Sequence, residues 1–316
     1  MLNIVALGEL LIDFIQEGNS KSGNPIYEAN PGGAPCNFLS MIKKLGYNAA
    51  FIGKIGNDNF GKQLENTIVN AGLDTKGLIK SDEVGTTLAF VHHDETGDRS
   101  FTFYRGADAQ IKENEITDDL FVDKNVFHFG TLSMTNEVCK KATLKAISIA
   151  KERNMLISFD PNLRENLWND LAKARAAFIE GFKVCNILKI ADNELAWFTK
   201  EEDLDKAIVK FREEFDIDLI FLTLGREGSK AYYKDVCVSA PTFLEVPCTD
   251  TTGAGDSFMG SALYKVLELG LDNLNQENLK ETLLFANAAA SLVASKKGVI
   301  KILPNRGEIE KLKSTI

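Results

Sequence analysis

Histidine is scarce in this sequence, with three residues, and cysteine is present only as five scattered residues. Cys36, Cys139, Cys185, Cys237 and Cys248 contain no CxxC pair and are odd in number, so they read as reduced thiols more than as a disulfide frame or a zinc site. No apolar run approaches the roughly 20 residues that a membrane span requires. The first residues, MLNIVALGELLIDFIQEG, lack the basic start and small-residue cleavage pattern of a secretory signal, and the expected location is the cytoplasm. Low-complexity stretches, internal repeats and long linkers are absent, which argues against separately folding domains. Basic residues are outnumbered 36 to 45, for a net charge of -9. That balance disfavours an extended nucleic-acid or anionic-membrane surface and leaves room for a local basic pocket around a phosphate.

What is present is a globular chain of 316 residues, 44% hydrophobic and 26% charged, enough for one large core with a small appendage. Short apolar runs alternate with amphipathic stretches. Asn3 to Gly8, Ala49 to Gly53, Val126 to Gly130, Leu156 to Asp160, Ile187 to Ile190 and Leu219 to Leu224 read as strands. Phe38 to Leu45 before Gly46, Phe60 to Ala71 before Gly72, and Glu137 to Arg153 read as helices. Recurring βα units predict an α/β fold: a three-layer α/β/α core around a mostly parallel sheet. Thr86 to His93 and Arg99 to Arg105 flank the turn-rich Asp94 to Asp98 and read as a hairpin, with Phe101 and Phe103 on one face. With strands from Asp13 to Ala29, it would form a small β-sheet lid. The predicted division is a core of residues 1–12, 31–84 and 106–316 and a lid of residues 13–30 and 85–105.

The segment DTTGAGDSF, Asp250 to Phe258, follows a β-like stretch, Phe243 to Val246, and opens a helix from about Asp256 to Leu269. The first amides of a helix lack intrahelical partners and carry the positive end of its dipole, so Gly253, Ala254 and Gly255 can cradle a phosphate. An acid beside such a cradle would repel phosphate if binding were its only task. Asp256 therefore reads as a base that takes the proton of an attacking alcohol; the bland alternative is a tight turn with a helix N-terminal acid. In PGGAPCN, Gly32 and Gly33 allow close backbone approach, and Asn37 offers both donor and acceptor to hydroxyls; the alternative is a loop that only caps the following helix. Asp13 lies just past the first strand, where it can accept sugar hydroxyls or stand as an exposed loop acid. DPNLRENLW brings Asn162 and Arg164 to the same sheet edge, where Arg164 can fork to phosphate or sugar oxygens or form a surface ion pair. TLGREG supplies Thr223, Gly225 and Gly228 at a strand end, near ATP or at a strand-turn-strand corner.

Together, PGGAPCN and DTTGAGDSF resemble the signatures of the ribokinase-like carbohydrate kinases of the phosphofructokinase B type, and the resemblance runs end to end. It implies Asp256 as catalytic base and the amides of Gly253 to Asp256 as an anion hole. GELLIDF, YRGADAQ and DPNLR followed by LW are most similar to the fructokinases within that family, which implies fructose phosphorylated by ATP, at the C6 hydroxyl. Asp13, Gly32, Gly33, Asn37, Arg105, Asn162 and Arg164 would then line the sugar pocket, with Arg105 reaching from the lid. Lys189, Glu194, Thr223, Gly225, Gly228, Gly253, Gly255 and Asn287 would serve ATP. Glu194 matches the acid of the family's Asn-x-x-Glu motif, implying Mg2+ held through water, although Ala191 replaces the Asn and its direct amide contact to phosphate is lost. Asp250 and Thr252 would hold a monovalent cation, K+. FANAAASLVASKKG reads as a helix ending at Gly298, with Lys296 and Lys297 in its last turn. The expected partners are a small-molecule sugar and ATP, with no nucleic acid or membrane, and a homodimer joined through the lid.

Two motifs are declined. GNDNFGK, Gly56 to Lys62, has the Walker spacing, but Gln63 stands where a magnesium-binding Ser or Thr belongs. His92, His93 and Asp94 lack convergent ligands for a metal. The rival readings are a 2-keto-3-deoxygluconate kinase, a ribokinase, a nucleoside kinase, or a catalytically silent sugar-sensing relative.

Overall fold

The structure is a computed structural model and describes residues 3–93 and 99–316, with the backbone alone for residues 92, 93 and 99–101. The expected turn Asp94 to Asp98, the side chains of His92 and His93, and that of Phe101 lie outside the described residues.

A large sheet takes nine strands: β1 (Asn3–Leu7), then, skipping the small sheet's members, β4, β5 and β8 to β13. The small sheet takes β2 (Leu11–Asn19), β3 (Pro25–Gly32), β6 (Leu88–His93) and β7 (Arg99–Tyr104). The remaining large-sheet strands are β4 (Asn48–Gly56), β5 (Asp74–Ser81), β8 (Val126–Phe129), β9 (Leu156–Phe159), β10 (Ile187–Ala191), β11 (Leu219–Thr223), β12 (Ser229–Tyr233) and β13 (Val236–Ala240). Their order is β13-β12-β11-β10-β9-β8-β1-β4-β5, parallel except for the antiparallel pairings of β12 with β11 and β13. The chain winds outward in one direction through β4 and β5 and in the other from β8 onward. The carboxyl ends of β1 and β8 thus form a topological switch point, where open α/β sheets leave a crevice.

Helices cover both faces: α1 (Ala34–Leu45), α2 (Asn59–Asn70), α3 (Glu137–Glu152), α4 (Leu171–Phe182), α5 (Asp192–Thr199), α6 (Leu204–Glu214), α7 (Ala254–Leu269), α8 (Gln276–Ala294) and α9 (Arg306–Lys313). Period-two alternation sorts each strand between two cores. Ile4, Ala6, Phe51 and Phe221 join α1, α7 and α8, while Val5, Leu7, Ile52 and Leu222 join α3 to α6. On the second face Phe178, Phe182, Phe198 and Phe211 meet edge to face, with centroids 4.8–5.6 Å apart in the closest pairs. Complete burial of each such ring is worth on the order of 2–3 kcal/mol.

Local chemistry sets the ends that matter. Gly33 precedes α1 at φ 130, and a Cβ there would lie 2.4 Å from the Glu9 carbonyl oxygen. Glu9 Oε1 accepts the Ala34 amide at 2.8 Å, Pro35 occupies the first turn, and Gly46 ends the helix at φ 113. At Gly260 in α7 a Cβ would meet the Phe38 carbonyl oxygen and Met41 Cβ of α1 at 3.0 Å, so the glycine permits the close approach of the two helices.

Three local readings are corrected. Phe243 to Val246 is not a strand; it is a loop anchored by fully buried Phe243, with Leu244 exposed. The small-residue helix starts nine residues earlier than Phe285 and stops at Ala294, so Lys296 and Lys297 lie beyond it. Strands β5, β12 and β13 escaped the periodicity reading. β13, for example, alternates exposed and buried residues over only five positions at the sheet edge. The small-sheet strands also run past the anticipated limits, starting at Leu11 and reaching Gly32.

Candidate active site

Asp256 sits in the first turn of α7 and is 8% exposed. Asn37 Nδ2 donates to its Oδ2 at 2.8 Å, across 219 residues of sequence. Burial raises the Asp256 pKa, while the Asn37 hydrogen bond and the charges of Lys189 and Arg164 pull it down. Gly253 caps the helix in the left-handed region at φ 73, packed so closely on Val299 that an added Cβ would lie 2.5 Å from Cγ1. The Ala254 amide is taken by the Thr251 carbonyl at 3.2 Å. Those of Gly255 and Asp256 have no backbone acceptor among the described residues, so of the expected Gly253–Asp256 amides these two are the ones available to an anion.

Lys189, in the middle of β10, places its ammonium beneath this turn: a Cβ on Gly255 would lie 3.2 Å from Nζ. The same ammonium pairs with Asp160 Oδ1 at 3.2 Å, both groups nearly buried. Burial lifts Asp160 to about 7 against the pull of Lys189. Burial alone would lower the Lys189 pKa, but the charges of Asp160, Glu194 and Asp256 raise it, so the lysine remains cationic. One fixed positive charge thus stands among three carboxylates at the helix start.

Asp13 faces the same cluster. It is half-buried, its pKa is raised to about 7 by burial, offset by Arg164 and reinforced by Asp250 and Asp256. Its Oδ2 lies over Gly32, where a Cβ would come within 2.4 Å. Asn162 takes the left-handed backbone (φ 51) in the turn after β9. On either side of it, Thr131 N and Oγ1 donate to the Pro161 carbonyl, and Leu163 N donates to Glu194 Oε1 at 2.7 Å. Glu194 Oε2 accepts the Ala191 amide at 2.9 Å. The glutamate therefore caps α5 and pins the Arg164 loop, a job that survives the exchange of Asn for Ala at 191. Lone pairs remain on both oxygens for water-mediated contact to a magnesium–phosphate group.

A cleft of about 610 Å³ opens on the other side of the helix start. Lys189, Thr223, Gly225, Gly228, Gly255 and Asn287 all line it. Gly225 and Gly228 hold φ 54 and 103, and at Gly228 a Cβ would come 2.1 Å from the Ala240 carbonyl oxygen. Asn287 is fully engaged: Nδ2 donates to the Ala240 and Pro241 carbonyls at 3.1 and 3.0 Å, and Oδ1 accepts from Ser229. It holds the cleft wall in place. Asp250 Oδ1 accepts the Thr252 amide at 2.9 Å, and both residues border a small cavity that Lys297, paired with Glu17 at 2.7 Å, also lines.

Arg105 directly follows β7. Its guanidinium pairs with buried Asp108 at 3.0 Å and donates to Thr135 Oγ1 at 3.1 Å. Asp108 in turn accepts from Thr87 Oγ1, which itself accepts the Gly106 amide at 2.6 Å, so the group stitches together the two chain crossings between the sheets. Sequence reasoning missed Asp160 and Glu9. The first was signalled by an acid closing an apolar strand in DPNLR; the second, by an acid after the first strand, had no separate signal. The rejected P-loop is explained structurally: Asp58 accepts the Gly61 amide and both Thr86 donors at 2.7–2.8 Å, occupying the start of α2. No group of three or more His, Cys, Asp or Glu side chains that could hold a metal occurs among the described residues. All five thiols are unbridged, and no described helix is long and apolar enough to cross a membrane.

A switch-point crevice with an acid at an amide-bare helix start is the architecture of ribokinase-like α/β phosphotransferases. Residues 1–306 match the family described as pfkB family carbohydrate kinase. The chain is 37% identical to fructokinase-1 of Oryza sativa subsp. japonica over 98% of this chain and 97% of that protein. Fructokinase of Xylella fastidiosa, solved with bound ATP, superposes with a TM-score of 0.89 at 27% identity, covering 99% of this chain and 98% of that one. Fructokinase of Vibrio cholerae O395, solved with fructose, ADP and calcium ion, gives a TM-score of 0.88 at 28% identity, covering 99% of each chain. The chain belongs to the PfkB family of carbohydrate kinases.

Proposed function

We propose that this protein is an ATP-dependent fructokinase that phosphorylates the C6 hydroxyl of fructose. The observation that carries this reading is the placement of Asp256, buried at the start of α7, bonded to Asn37 at 2.8 Å and adjoining the Lys189 ammonium. Fructose lies against Asp13, Gly32, Gly33, Asn37, Asn162 and Arg164, and Arg105 braces the same pocket from the small sheet. ATP occupies the cleft between Thr223, Gly225, Gly228 and α8, with its terminal phosphate at the Gly253–Asp256 turn. Asp256 accepts the proton of the attacking hydroxyl as the new O–P bond forms. The bond from the γ-phosphorus to the bridging oxygen breaks, and ADP leaves. The Gly255 and Asp256 amides and Lys189 receive the charge on the transferring oxygens. The raised pKa of Asp256 makes it a stronger base than an exposed aspartate. Magnesium, when bound with ATP, neutralises phosphate charge; Glu194 would hold it through water, and Asp250 and Thr252 would hold K+. The small sheet serves as a lid over the sugar, residues 13–30 and 85–105, and as the contact of a homodimer in the cytoplasm.

The support is the joint presence of a hydroxyl-ready pocket and a phosphate-ready helix start on either side of one acid, in a chain 37% identical to a plant fructokinase. A panel of fructose, ribose, 2-keto-3-deoxygluconate and nucleosides, read as ADP release, tests it. Fructose should dominate; preference for another member by about tenfold in kcat/KM would reassign the substrate.

A further inference from the structure

Away from the catalytic crevice, a groove of about 880 Å³ runs between α1, α2 and the segment 300–303. Four lysines line it, Lys43 and Lys44 from α1, Lys62 from α2 and Lys301, with no carboxylate among its lining residues. No ion pair or hydrogen bond of these four ammonium groups occurs among the described residues. Other lysines of the chain end on acids, as at Lys140 with Glu180, Lys265 with Glu268 and Lys313 with Glu281. In a chain of net charge -9, four lysines around one concavity form a local field of opposite sign, and only Lys62 also borders a cavity lined by acids, Asp58 and Glu65.

A second observation points into the groove. Ser40, one turn before Lys43 and Lys44, lines it and is 3% exposed, yet its hydroxyl has no partner. A serine inside a helix ordinarily bonds the carbonyl four residues back, as Thr67 on the facing helix does to Gln63 at 2.8 Å. An unmet buried hydroxyl costs about 1–3 kcal/mol unless a ligand completes it. Asn59, Asn66 and Asn70 add amides along the same wall.

We propose that this groove binds a small phosphorylated molecule carrying more than one phosphate charge, with the lysines on its phosphates and Ser40 and the asparagines on its hydroxyls. The lining offers neither arginine forks nor aromatic rings, which argues against a nucleic-acid strand. Lysine suits a phosphate as a mobile point charge. The groove also adjoins the catalytic turn through two short connections. Helix α1 carries Asn37, the partner of Asp256, three residues before Ser40. Segment 300–303 follows Val299, which packs on Gly253.

Titration calorimetry of the full-length protein, its catalytic crevice first saturated with fructose and a non-hydrolysable ATP analogue, with D-fructose 1,6-bisphosphate and with inorganic tripolyphosphate tests this without any turnover. Both probes should bind, more weakly as salt is raised. The double variant K62E/K301E should weaken them at least about tenfold, and Ser40→Ala severalfold. Arg164→Ala, which weakens only the catalytic pocket, should leave binding within about twofold. Hydrogen exchange of residues 34–45 and 59–70 should slow on binding in the wild type and not in the double variant. Absence of binding by both probes overturns the proposal. So does affinity unchanged in K62E/K301E or Ser40→Ala, or binding lost in Arg164→Ala instead.

Discussion

The two sides of the α7 start are built from opposite materials. On one side lie Asp13, Asp160 and Asp256, carboxylates whose pKa values respond to one another and to Lys189, with the Asn37 amide bonded to Asp256. The open cleft, which Lys189 also lines, is walled near the helix start by small residues, Gly225, Gly228, Ala254, Gly255, Ala290 and Ala294, with Phe243 and Leu244 beyond them. A polyol presents hydroxyls that need matched side-chain donors and acceptors, whereas a nucleotide presents phosphates that bare amides can hold. The first side should thus be broken by removing a functional group, the second by adding a carbon atom.

The largest effect is expected at the junction. Asp256→Asn should lower turnover by at least about 10²-fold while sugar and nucleotide affinity persist, as measured by steady-state kinetics and calorimetry. Near-normal turnover would remove Asp256 as the base. Next, Lys189→Met leaves Asp160 buried beside Glu194 and Asp256 without its cation. A loss of about 3–5 kcal/mol in denaturant unfolding is expected, typical of a broken buried pair, and a loss below about 1 kcal/mol would show that solvent already screens the site.

On the other side, Gly253→Ala forces a Cβ into the left-handed region against Val299 and should cost about 1–3 kcal/mol together with turnover. Gly225→Ala, at φ 54 with open space around it, should cost about 1 kcal/mol and little activity. Equal effects from the two glycines would erase the distinction between close packing and conformational strain.

A further effect is a pH dependence. Burial holds the Glu9 proton up to about 7, whereas in the unfolded chain it leaves near the ordinary value of 4.5. Folding takes up a proton between those values, so this group's contribution is largest below 4.5 and is lost as pH rises through about 7. Glu9→Gln keeps an acceptor for Ala34 and removes the titration. Its melting temperature relative to the wild type should therefore rise across that window; a difference that stays flat with pH would place the Glu9 pKa near that of an exposed acid.

Much of this was legible because it is local. The helix start at Asp250 to Phe258 announces itself through glycines at fixed offsets from an acid, and strands buried on both faces read as continuous apolar runs, as in Asn3–Leu7. The sequence placed Asn37 near the expected site, but its bond to Asp256 was not legible. Nor were the loop at Phe243 and the bonds of Asn287 to Ser229, Ala240 and Pro241, which depend on what packs against them.

The sequence by itself determined the alternation of strand and helix, the glycine-rich turn that opens α7 and the identity of the acid beside it, since each rests on contacts within a few residues. Tertiary structure alone decided which charges share a site. Lys189 meets Asp160 across 29 residues, and Gly260 lets α7 approach α1 closely enough for Asn37 to reach Asp256. Pairings of that kind follow from sheet order and helix packing, which no short window of residues encodes.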